Sequence, residues 1–210
     1  MGPAMRVAFV SGGKDSYYAM YRYGGVDLGV MLVYNFPRPS PHTMNIGKSL
    51  ESLLACGVPV IVAKLSRGRE FDETVDLLRK ISPSVIVAGD VYIEDHLKYM
   101  ERLAKEVGSN LVEPLWGYDP VELLYREIND GVRPVVIGAI ESLRGYLGKA
   151  LTMENVEEFV YNSKNVGVDP LGEHGEYHTL VVDGPLHKHE VSFRVVDIEN
   201  FGAYVVLRLI

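Results

Sequence analysis

The sequence predicts an α/β fold, a doubly wound parallel sheet followed by a smaller C-terminal α+β domain. Three observations carry this expectation. Four short apolar runs recur through the first half, Val7-Ala8-Phe9-Val10, Gly29-Val30-Met31-Leu32-Val33-Tyr34, Val58-Pro59-Val60-Ile61-Val62-Ala63 and Val85-Ile86-Val87-Ala88. They are continuous rather than alternating, as in strands covered on both faces. Helical patterns lie between them, which implies βαβ units. After Tyr118 the pattern changes to strand candidates close together near the end of the chain, an antiparallel finish.

Taken in order, the first run stops at Ser11-Gly12-Gly13 and opens a helix. Residues 45–55 carry Ile46, Leu50, Leu53 and Leu54 at helical spacing, and 71–81 carry Val75, Leu77, Leu78 and Ile81. Residues 94–107 carry Leu97, Met100, Leu103, Ala104 and Val107, with Gly108 placed as a stop. A helix is expected near 121–129, a strand over 134–139 and a helix near 156–161. Strands are expected over 178–182, 191–198 and 203–209. The expected division is 5–118 for the first domain and 119–210 for the second.

Composition narrows the function classes. The chain has 210 residues, 47% hydrophobic and 23% charged, an ordinary globular balance. Its formal net charge is −7 and no Lys/Arg cluster stands out, so direct nucleic-acid binding is not expected. The single cysteine, Cys56, excludes a disulfide framework within one chain and suits a reducing, cytoplasmic setting. No apolar stretch is long enough to predict a membrane span.

The densest chemical signal is Ser11-Gly12-Gly13-Lys14-Asp15-Ser16, between the first strand and the first helix. Two glycines let the backbone turn sharply and approach a ligand closely. Amides at a helix N-terminus favour an anion. Ser11 and Ser16 add hydroxyls, and Lys14 offers a point charge for phosphate oxygens. Asp15 is the odd member beside a polyphosphate, and its two readings are a Mg²⁺ contact or a capping role. The spacing fits neither the Walker A loop nor the dinucleotide fingerprint. Gly89-Asp90, ending the fourth run, is the expected companion at the neighbouring switch point.

A second constellation spans residues 167–179, where Glu173, His174, Glu176 and His178 crowd between glycines. Glu173 and Glu176 are candidates to orient an ammonium group or Mg²⁺, or to act as a base. A zinc site from His174, Glu176 and His178 would want a helix, and Gly172 and Gly175 argue against one. His187 and His189 read as surface residues.

The loop 11–16 carries the signature of the pyrophosphate-loop ATPases, enzymes of the adenine nucleotide alpha-hydrolase-like (HUP) fold that cleave ATP between its α and β phosphates. The chain further resembles the diphthine–ammonia ligase family over nearly its whole length. His42-Thr43-Met44-Asn45-Ile46 looks like the family's His-Thr-x-Asn-Ile element. Pro114-Leu115-Trp116 with Asp119 is similar to its Pro-Leu-Trp segment, and 167–185 looks like its C-terminal glycine–glutamate signature ending in Asp-Gly-Pro. Two departures bear on the acceptor more than on the ATP chemistry. Leu171 stands where the family commonly has Cys, and 91–96 lacks the family's Ser and Gln-Arg version.

The resemblance implies an ATP-dependent carbon–nitrogen ligase. Its substrates would be ATP, ammonia and the diphthine carboxylate on a translation elongation factor, with Mg²⁺ as cofactor and AMP and pyrophosphate as products. Ser11, Gly12, Gly13, Lys14, Asp15, Ser16, Gly89 and Asp90 are expected to bind ATP. Lys14, Asp15, Glu173 and Glu176 are expected to serve catalysis, and Asp15 to hold Mg²⁺. His42, Asn45, Glu173, Glu176 and His178 are expected on the acceptor side. Two other readings stand beside it: a nucleotide-binding regulator without turnover, and a pyrophosphate-loop tRNA-modifying enzyme.

Overall fold

The computed structural model describes residues 4–34 and 40–210. Nine strands form two sheets among those residues. The first is parallel and is built from β1 (Arg6–Phe9), β2 (Leu28–Val33), β3 (Val60–Lys64), β4 (Val85–Val87) and β5 (Asn110–Val112), in the order β3-β2-β1-β4-β5. The chain winds from β1 outward to β3, then returns past β1 to place β4 and β5 on its other side. That reversal is the expected doubly wound plan, and its switch point lies between β1 and β4.

Helices α1 (Lys14–Tyr23), α4 (Glu70–Ile81) and α5 (Glu94–Val107) belong to this plan. Val75, Leu78, Met100, Leu103 and Ala104 of α4 and α5 bury against Val7, Val30 and Ile86 of the strands. Helix α4 opens with Glu70, Asp72 and Glu73 and closes with Arg79 and Lys80, complementing its dipole at both ends. Helix α5 stops at Gly108, in the left-handed region at φ 72. Strand β5 escapes a reading of apolar runs because it is three residues long and begins with Asn110; its ladder to β4 defines it.

The second sheet is antiparallel, in the order β7-β6-β9-β8. Its strands are β6 (Arg133–Ile140), β7 (Tyr177–Asp183), β8 (Val195–Phe201) and β9 (Tyr204–Leu209). Val135, Ile137, Leu180, Val182, Leu207 and Leu209 share a core with Ala55 of α3 (Ile46–Ala55). A short helix, α2 (Pro41–Met44), precedes α3, and α6 (Pro120–Asn129) and α7 (Val156–Asn165) complete the helices. Asp119 caps α6 by accepting from the amides of Val121 and Glu122 at 2.9 and 3.0 Å, with Pro120 in the first turn. The last hairpin departs from the sequence reading. Val191 is core, but β8 begins only at Val195, and Val196 and Ile198 are exposed on an edge strand.

The chain divides into two compact units, one of residues 4–11, 15–34 and 58–117, the other of 12–14, 40–57 and 118–210. The division therefore interleaves, where the sequence suggested a single cut near Tyr118. Helix α3 joins the second unit because its apolar and small residues pack on β7: Ser52 Oγ donates to the Val181 carbonyl at 2.6 Å.

Candidate functional site

The loop after β1 begins with Ser11, whose amide donates to Ser16 Oγ at 3.3 Å, the two hydroxyls also lying 3.3 Å apart. Gly12 sits at φ 88, and a Cβ there would come within 3.1 Å of Ser49. The positive φ favours glycine at the second residue of the turn, and the close approach of Ser49 leaves little space for a side chain. Asp15 lies inside the first turn of α1, complementing the helix N-terminus as an anionic side chain does. Gly89 follows β4 at the switch point, where an added Cβ would meet the Asp15 carbonyl at 2.9 Å. Asp15 and Ser16 of the turn thus lie beside Gly89.

Lys14 is placed differently from its expected role as a phosphate charge. Its side chain is buried, and Nζ donates to the Leu171 carbonyl at 2.8 Å. Glu127 Oε2 lies 3.9 Å away and the Tyr177 ring centroid 5.6 Å away. The Lys14 amide donates to Thr179 Oγ1, and the Val181 amide to the Gly12 carbonyl. Residues 12–14 are therefore bound into the 167–181 segment. The bond uses the backbone of Leu171, so the family's Cys is not needed for it.

In the 167–178 segment the carboxylates hold the backbone. Asp169 accepts from the amides of Leu171 and Glu173, at 3.0 and 3.1 Å. Glu176 accepts from those of Asp169 and His174, at 3.4 and 3.0 Å. Tyr177 donates its hydroxyl to the Pro170 carbonyl and packs edge-on against Phe159. Glu176 is accordingly a scaffold of this loop. Up to β7 the segment has no helix or strand, with Gly172 and Gly175 at positive φ, as their positions suggested.

Of the expected acceptor-side residues, His42 and His178 come together, ring centroids 5.5 Å apart. Burial, then the neighbouring His178, pushes the His42 imidazole down to about 3, and its Nδ1 has no hydrogen-bond partner among the described residues. His178 Nδ1 shares a 2.6 Å hydrogen bond with the Tyr204 hydroxyl. Asn45 is the correction. It is buried, its amide donates to the carbonyls of Pro41 and Leu207, and its oxygen accepts from the Leu209 amide. Its side chain locks α2 and α3 to β9 in place of touching an acceptor. His187, read as a surface residue, is half-buried against Ser52 Oγ at 3.3 Å, and burial lowers its basicity.

Glu113 was missed. It follows β5 directly, next to Pro114-Leu115-Trp116, and Oε2 accepts from the Asp90 amide at 3.2 Å. Burial, then the Asp90 charge, pushes its carboxyl up to about 8. Asp90 in turn faces His96 Nδ1 at 3.3 Å. The signal was a carboxylate beside a quoted motif, but the unrecognised β5 hid its position at a strand end.

A glycine-turned loop and a Gly-Asp pair at the switch point of a parallel sheet mark a doubly wound α/β protein. The diphthamide synthase N-terminal domain model matches residues 5–111, and the diphthamide synthase C-terminal domain model matches 119–207. The chain belongs to the diphthamide synthase family.

It is similar to proteins named diphthine–ammonia ligase from three organisms. The match to the Schizosaccharomyces pombe protein is 31% identical over 132 residues, 58% of this chain but only 22% of that protein. The Danio rerio protein is 24% identical, with 88% of this chain and 84% of that protein covered. The human protein is 25% identical, with 89% and 82% covered. A solved chain named as a predicted subunit of tRNA methyltransferase from Methanocaldococcus jannaschii aligns over 90% of this chain and 99% of its own. Its TM-score is 0.43 at 17% identity, too low to bear on fold or function.

Proposed function

We propose that the protein is an ATP-dependent amide ligase that adenylates the diphthine carboxylate of a translation elongation factor and amidates it with ammonia. The observation that carries this is the loop 11–16 at the β1/β4 switch point of a diphthamide synthase chain. A carboxylate is a poor acyl donor because oxide would have to leave. Attack of its oxygen on the α-phosphorus of ATP forms an acyl-adenylate and releases pyrophosphate. Ammonia then attacks the carbonyl carbon, and AMP leaves.

The residues fit a phosphate group. Gly12 and Gly13 put no side chain at the helix N-terminus, Ser11 and Ser16 carry hydroxyls, and Gly89 lets the two backbones come close. Lys14 ties the loop to residues 167–178, on which Glu173 is carried; His42 and His178 serve the acceptor. Asp15 is the residue assigned to Mg²⁺, which would offset charge gathering on pyrophosphate. With the acceptor present, ATP turnover is expected to yield AMP and pyrophosphate; ADP as product would sink the mechanism.

A second reading, a nucleotide-binding regulator without turnover, is favoured by one observation. The Lys14 ammonium is already engaged by protein groups. Nucleotide binding without AMP production under any acceptor would select it.

A further inference from the structure

We propose that Glu113 is the residue that takes a proton from ammonium, so that neutral ammonia can attack the activated carboxylate; this deepens the ligase reading and rests on it. Ammonium carries four N–H donors and no lone pair. It becomes a nucleophile only when an acceptor removes a proton in a place where water does not return it. Three features of Glu113 meet that need.

The first is position. Glu113 follows β5 and Asp90 follows β4, so both lie at the carboxyl ends of adjacent parallel strands. Gly89, the residue before Asp90, stands against the backbone of Asp15 and Ser16 in the candidate nucleotide loop. The second is an open acceptor. Glu113 Oε2 takes the Asp90 amide, while Oε1 is shielded from solvent and has no hydrogen-bond partner among the described residues. A shielded carboxylate oxygen without a donor is costly unless a ligand or a proton serves it.

The third is basicity. An ordinary Glu is far too acidic to hold a proton taken from ammonium. Burial and the Asp90 charge raise the Glu113 carboxyl to about 8, within range of that exchange. The groups around it are Asp90 and, paired with Asp90, His96 of α5. Tyr34 lies within electrostatic reach of Asp90, and its phenol is held up at about 12, mainly by burial. The charge of Asp90 beside it also attracts the cation NH₄⁺ in preference to the neutral species.

The step balances as follows in atoms and charge. One proton passes from ammonium nitrogen to Glu113 Oε1. The freed lone pair forms the C–N bond, the acyl C–O bond to AMP breaks, and its electron pair leaves with AMP. The second proton lost as the amide forms goes to solvent.

The test compares wild type with Glu113→Gln at saturating ATP and acceptor, using ammonium or hydroxylamine. Hydroxylamine is mostly neutral at pH 7 and needs no proton removed before attack. Ammonium-dependent amide formation is expected to fall about 10²-fold or more in the variant. Hydroxamate formation is expected to stay near the wild-type rate, which also shows that the variant folds and adenylates. Equal loss with both nucleophiles would place Glu113 in adenylation or metal binding and overturn the assignment. Undiminished ammonium turnover would overturn it too. If wild type forms no AMP with either nucleophile, the ligase reading falls first and this assignment with it, a result separable from the others by the wild-type arm alone.

Discussion

Around residues 167–178, Asp169 and Glu176 place four carboxylate oxygens on four backbone amides. At Asp90 and Glu113, one amide serves Oε2 of Glu113, Oε1 has no partner among the described residues, and a like charge stands beside it. In the first region the backbone solvates the acids, and they serve as mortar for a loop with little regular structure. In the second, strand ends bring two acids together without enough donors. Carboxylates placed as in the second region are suited to exchanging protons or ligands. The contrast separates acids that hold a loop from an acid suited to chemistry, although all four are plain Asp and Glu in the sequence.

The largest effect expected in the loop region comes from its buried cation. Lys14→Met leaves the Glu127 carboxylate buried without its cation and is expected to cost about 3–5 kcal/mol. Chemical denaturation measures this. Lys14→Met combined with Glu127→Leu should recover much of the loss, and no recovery would show that the pair is not coupled.

Next, Glu176→Ala removes the acceptor for two amides and is expected to cost about 1–3 kcal/mol. Amide hydrogen exchange should quicken across 167–178 and stay unchanged in β1 and β4. Uniform protection after the substitution would refute the scaffold role.

The pH response probes the other region. Because the folded Glu113 carboxyl is raised from its ordinary 4.5 to about 8, the folded state binds more protons than the unfolded state between those values. Its contribution to stability is therefore lost as pH rises through that window. Glu113→Gln should flatten this part of the stability profile, gaining on wild type at pH 9 but not at pH 4. The smallest effect is expected from Leu171→Cys. Lost burial should cost about 1–2 kcal/mol, while turnover should hold because Lys14 uses the carbonyl at that position.

Much of the fold was legible in the sequence, and the reasons are physical. Continuous apolar runs reveal strands, so β1 to β4 could be read directly, although β3 lies at the sheet edge with Val62 exposed. Helix α5 could be read to both ends because its apolar stripe is broken by Gly108, which takes the left-handed conformation that stops a helix. Strand β5 was hidden by its length and by Asn110, and with it the setting of Glu113. Strand β8 misled because Val196 and Ile198 look like core residues but lie on an exposed edge.

The candidate site was legible where chemistry depends on local order. The 11–16 turn at the switch point follows from glycine and serine spacing alone. Lys14 was not, because its partners Leu171 and Glu127 lie more than a hundred residues away in sequence. Asn45 belonged to a recognisable element, yet its carbonyl partner at Leu207 is supplied by the last strand. Spacing identifies residue types; only long-range packing decides which of them hold the fold and which face a substrate.

The central contrast is most directly tested by titrating the Glu113 carboxyl with carbon-13 NMR, assigning its signal by its loss in Glu113→Gln. A midpoint near 8 is expected from burial beside Asp90. A midpoint in the ordinary carboxylate range would show that burial beside Asp90 does not raise the Glu113 carboxyl, and would contradict the account.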